Sequence, residues 1–172
     1  MLAIALEARD ISPFIDDFKA GKYEKVCKRG LIEYYRGYME ENFVSLIGVA
    51  CAKSDRINVL GMLQRSQVES KDARENASYF SSLILQKRLV YQFMIDDISL
   101  EGLKLPGSSH LLSRIFEKLS TKEYTVLSTS PKLIEIEDKG KKIILSLSDD
   151  NPVKVLVDEY EKNGELKRHW YQ

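Results

Sequence analysis

The chain has 172 residues, 44% hydrophobic and 30% charged, with 26 Lys plus Arg set against 26 Asp plus Glu. That length holds one ordinary domain or two small ones, each with its own core. The zero formal net charge excludes a global field that would hold the protein on nucleic acid or on an anionic membrane.

The first residues, MLAIALEARDIS, are apolar for only a few positions, lack a basic leader and turn charged at once, which predicts neither a signal peptide nor a membrane span. Ser12 and Pro13 then read as the N-cap and first residue of a short helix that Gly21 closes. From Tyr23 the positions Val26, Cys27, Leu31, Tyr34, Tyr35, Tyr38 and Met39 follow a three-and-four spacing, the stripe of a longer amphipathic helix. Past Asn42 the stretch FVSLIGVACA is apolar on more than one side, as in a helix buried centrally or in an interface. Cys27 and Cys51 fall within these apolar patterns with no CxxC or Cys/His spacing, so reduced core thiols in a cytosolic setting are expected.

Ser54 reads as the cap of a helix over DRINVLGMLQRSQVES that Gly61 weakens. A long core helix starts at Ser70 and carries Ala73, Ala77, Phe80, Ile84, Tyr91, Ile95 and Ile98 at helical spacing. Pro106 and Gly107 break the pattern. Ser108 or Ser109 can cap a last helix that buries Leu111, Leu112, Ile115, Phe116 and Leu119.

The texture changes after Ser120. YTVLST and KLIEIED are rich in β-branched residues, KKIILSLS alternates, and DKGK supplies a Gly at the bend of a hairpin. Asn151 and Pro152 then read as the start of a short helix whose stripe is Val153, Leu156, Val157 and Tyr160, stopped by Asn163-Gly164. ELKRHW returns as a final strand. The expected class is α+β: an N-terminal all-α helical bundle over 1–120, followed by a small β-rich unit (β-β-β-α-β) over 121–172, with the boundary between 119 and 124.

Chemistry-bearing patterns are sparse. His110 and His169 have no second His or Cys at ligand spacing, so surface or capping roles are expected for both. Asp96-Asp97 and Asp149-Asp150 read as solvated, because adjacent helical side chains diverge by about 100° and the second pair lies in a turn signal. No phosphate-cradling glycine loop occurs. The expectation is a protein without catalytic residues, cofactor or metal, and not an enzyme. Lys139, Lys141 and Lys142 at the hairpin tip could contact phosphates as point charges. Tyr34, Tyr35 and Tyr38 could stack on bases, although their spacing matches a buried stripe or a subunit interface.

The order of parts, a helical unit followed by YTVLSTSPKLIEIEDKGKKIILSLSDDNPVKVLVDEYEKNGELKRHW, resembles the GINS family of replication proteins, of the archaeal type with a helical A domain before a β-rich B domain. Within the helical unit, LILQKRLVYQFMIDDISL is similar to the family's long interface helix. NPVKVLVDEYEKNGELKRH is similar to the family's turn with Pro, short helix ending in Gly and closing strand, with Asn151-Pro152 where family members commonly have Leu-Pro. The resemblance implies a non-catalytic subunit of a hetero-oligomer built through A-domain helices, joining the MCM helicase and a RecJ-like partner during DNA replication. It also implies a cytoplasmic, nucleoid-associated location, nuclear in a eukaryote, with at most weak direct DNA contact. Candidate subunit-interface residues are Tyr34, Tyr35, Tyr38, Phe43, Leu46, Phe80, Arg88 and Tyr91. The alternative is a winged-helix DNA-binding regulator that uses the helix over 109–119 and the hairpin tip over 138–142.

Overall fold

The computed structural model describes residues 10–161 and 163–172; the reading made on the first nine residues lies outside them. Among the described residues, six α-helices precede a five-stranded antiparallel sheet. The helices are α1 (Ser12–Lys19), α2 (Tyr23–Tyr35), α3 (Glu41–Lys53), α4 (Leu60–Leu63), α5 (Lys71–Ile95) and α6 (Leu111–Ser120). The strands β1 (Thr125–Thr129), β2 (Lys132–Asp138), β3 (Lys141–Leu147), β4 (Val155–Tyr160) and β5 (Leu166–Tyr171) pair in sequence order. The α+β class is as expected, with one strand more than the sequence suggests.

The extra strand is β4, where a short helix was expected. Val153, Leu156, Val157 and Tyr160 do fit a helical stripe, but KVLVDEY also alternates, and β3 and β5 offer backbone partners on both sides. Pairing satisfies every peptide group of the strand, and the alternation sends Val155 and Val157 inward while Leu156 stands opposite Trp170 on the outer face. Asn151-Pro152 lies in the β3–β4 connection. Asn163-Gly164 forms the β4–β5 turn, with Gly164 at φ +83° and the Asn163 side chain accepting from the Glu165 amide at 3.0 Å.

Several boundaries also move. Ser54 ends α3, its hydroxyl donating to the Ala50 carbonyl at 2.9 Å, and the segment it was expected to cap is only α4 between two 3₁₀ turns. Ser12 is the first residue of α1 rather than its cap. Ser70 does cap α5, accepting from the Ala73 amide at 3.1 Å. Glu41 supports the same helix start: its carboxylate accepts from the amides of Val68, Glu69 and Ser70. These bonds outweigh desolvation and hold the group at about 2, well below the usual carboxylate range.

α2 and α3 form a hairpin at close range. A Cβ on Gly30 would stand 2.1 Å from Ile47, and one on Gly48 would stand 2.4 Å from the Phe80 ring of α5. Both glycines are needed because the backbones approach there, not for turn geometry. The same proximity joins Cys27 and Cys51 in a disulfide, which corrects the expectation of reduced thiols. Their Cα atoms are 4.8 Å apart, within bonding reach, because the two helices run antiparallel and bring the two positions level.

Buried apolar side chains form one cluster that runs from the helices into the sheet, including Phe43, Ile47, Phe80, Leu112, Ile115, Ile134, Ile143, Val157 and Tyr171. The inward face of the sheet packs on α5 and α6. Among the described residues, no helix is long and apolar enough to cross a membrane.

Candidate interaction surfaces and the buried polar junction

The expected interface residues divide by depth. Tyr34, Phe43 and Phe80 are buried in the chain's own core. Tyr38 is half-buried, its ring 4.8 Å from that of Phe43, and Leu46 is likewise packed against the core. Tyr91 ties α5 to the β3–β4 connection by donating to the Val153 carbonyl at 3.1 Å. Tyr35 and Arg88 face outward. Tyr35 is an exposed apolar side chain, as are Ile32 and Met39, at 69%, 50% and 53% in that order. Ile32 and Tyr35, three apart, share one side of the last turn of α2, and Met39 lies beyond it in the connection to α3.

At the hairpin tip, Lys139 and Gly140 both have positive φ, as a tight two-residue turn demands. Two of the three tip lysines are already neutralised. Lys141 pairs with Glu159 at 3.3 Å and with Glu161, and Lys142 pairs with Glu135 across the strands. Of these three, Lys139 has no ion pair among the described residues. On α6, Arg114 bonds Asp138 at 2.6 Å and Lys118 bonds Glu123 at 2.5 Å, so the basic side chains of that helix are spent within the chain. The His110 side chain is turned inward, 8% exposed, rather than presented on the surface of that helix.

A polar network that no sequence pattern announces lies at the junction of helices and sheet. Asp55 follows α3 in a left-handed conformation, φ 59°. Its carboxylate takes the Nδ1–H of His169 at 2.5 Å and the hydroxyl of Tyr171 at 2.8 Å, both from β5. Burial raises the carboxyl, but the His169 and Tyr171 bonds prevail and leave its pKa below the usual value. Burial and the Asp55 charge push the Tyr171 phenol well up. His169 is therefore a buried strand residue and not a surface one, and its Nε2 has no partner among the described residues.

His110 stands beside this group as the N-cap of α6, where Ser108 or Ser109 was expected. Its Nδ1 accepts from the Leu112 amide at 3.2 Å, and its Nε2 lies 3.0 Å from the Ala52 carbonyl and 3.8 Å from Asp55. An acceptor at Nδ1 and a carbonyl facing Nε2 fix the neutral ring with its proton on Nε2. Next along, Arg114 reaches Asp138 on β2, the Ser109 carbonyl at 2.6 Å and Glu159 on β4 at 3.6 Å. Asp55, Tyr171, His110 and Arg114 thus each have a partner within this junction, and His169 has one at Nδ1.

Among the described residues, no group of three or more His, Cys, Asp or Glu could hold a metal ion. A groove of about 440 Å³ lies between α5 and residues 106–108, lined by Lys71, Arg74, Tyr79, Ser82 and Pro106. Its Arg74 is engaged by the Val68 and Glu69 carbonyls. Comparison of the chain with protein-family models, characterised proteins and solved structures finds no match.

Proposed function

We propose that the chain is a non-catalytic subunit of a GINS-type hetero-oligomer, a scaffold joining the MCM helicase and a RecJ-like factor in the replicative helicase. The observation that carries this reading is the order of parts, a helical unit of six helices followed by a small antiparallel sheet docked on the last two. The resemblance leaned in part on a short helix before the final strand, and the strand β4 in its place withdraws that part of the support. Support from the surface is the exposure of Ile32 and Tyr35 at the end of α2 and of Met39 just after it, apolar side chains that a scaffold's contacts would cover. The balance of charge also suits a protein that meets other proteins rather than a polyanion.

Sedimentation of the isolated chain across micromolar concentrations tests the reading. Association with itself, or with a co-expressed subunit of the same helical-plus-sheet type, is the expected result. A compact monomer in both settings would remove the proposal.

A further inference from the structure

We propose that His110 is an acid-sensitive clasp at the junction of the helices and the sheet, which caps α6 while its ring is neutral and uncaps it when the ring takes up a proton. The inference is independent of the scaffold reading. It rests on the place of the ring. Nδ1 accepts the Leu112 amide, so a proton there sets two donors against each other and removes the cap. The same proton places a cation at the N-terminus of a helix, where the dipole opposes it.

The surroundings reinforce the effect. On α6 itself, Arg114 is the next charged side chain. From β5 come His169 and Tyr171, from the end of α3 comes Asp55, and beyond Arg114 stand Asp138 of β2, Glu159 of β4 and Lys141 of β3. α5 contributes Gln86, neutral, which donates to the Pro106 carbonyl and to Ser113, and the cation Lys87, which lines one cavity with Asp55 and Tyr171. Asp55 favours the protonated ring, but its charge is already shared by His169 and Tyr171. Burial dominates and pushes the His110 pKa below its ordinary value.

Uncapping reaches beyond one bond. The carbonyl of His110 accepts from the amides of Ser113 and Arg114, the amide of Ser108 donates to the Ser113 hydroxyl, and the Ser109 carbonyl holds Arg114. The first turn of α6 and the loop before it are one hydrogen-bonded unit, and Arg114 carries that unit to the sheet. Loss of the cap loosens the attachment of α6 to β2 and β4.

Amide hydrogen exchange on the full chain, corrected for intrinsic rates and followed from about pH 7.5 to about pH 5, tests the clasp. Opening at Leu112, Ser113 and Arg114 should rise as pH falls below the ordinary His range, by up to about tenfold per pH unit, the limit for one proton. His110→Asn keeps an acceptor at the cap and cannot titrate, so its exchange at these amides should be flat with pH. In the wild type, NMR titration should place His110 below the ordinary His value of about 6.5. The proposal is overturned by flat exchange in the wild type, by an unchanged pH slope in His110→Asn, or by a His110 that titrates at or above that value.

Discussion

Replacing Gly48 by Ala sets two effects of known size against each other. Ala is favoured over Gly inside a helix by about 1 kcal/mol, and Gly48 lies within α3. Against this, the new methyl would stand 2.4 Å and 2.5 Å from two carbons of the Phe80 ring, more than about 1 Å inside the optimal carbon separation. Phe80 is fully buried and cannot swing away. Overpacking of this kind costs about 1–3 kcal/mol, occasionally more; two contacts this short put the cost at about 2–3 kcal/mol, so the clash wins and Gly48→Ala should destabilise by about 1–2 kcal/mol. For a chain of this length that is a fall in Tm of roughly 2–8 °C. Gly61→Ala supplies the control, because its methyl meets only Ile84 at 3.6 Å, an ordinary contact, within α4. It should stabilise by up to about 1 kcal/mol. Thermal melts of the three proteins followed by helical circular dichroism make the comparison. A Gly48→Ala protein that melts at or above the wild type would refute the close approach of α3 and α5.

Reducing the Cys27–Cys51 disulfide, which closes a separation of 24 residues, should cost about 3.5 kcal/mol by loop entropy and lower Tm by roughly 7–14 °C; identical melts with and without reductant would contradict the bridge. In β4, Val157→Asp should unfold the sheet by burying an unpaired charge, whereas Leu156→Asp, on the half-exposed outer face, should cost only about 1 kcal/mol; equal damage in urea melts would restore the helical reading of this segment. Glu41, held at about 2, lies below its unfolded value, so its stabilising contribution is full above about pH 4.3 and is lost as pH falls toward 2. Glu41→Gln should flatten that acid limb, and an unaltered limb would show that the three amide bonds carry no stability. Short DNA duplexes should bind weakly at physiological salt, with Lys139→Glu changing affinity little, and tight sequence-selective binding would favour the winged-helix alternative.

Helix positions, the hairpin at Lys139-Gly140 and the α+β order were legible because periodicity and turn residues act locally. β4 was not, because VKVLVDEY satisfies both periods and only the partners β3 and β5 decide between them. The disulfide did leave a trace: the residue midway between Cys27 and Cys51 is Met39, in the connection between α2 and α3, which is the symmetry of two positions level across an antiparallel hairpin. The polar junction left none. Asp55, His110 and His169 are separated by 55 or more residues, and their meeting depends on how β5 returns to the end of α3.

The scaffold reading stands most directly on the company the chain keeps. Tagged chain purified from its native cell at physiological salt, with bound proteins quantified by mass spectrometry, should bring down a second helical-plus-sheet subunit in stoichiometric amount together with the MCM helicase. Recovery of the chain alone, or with partners unrelated to replication, would contradict it.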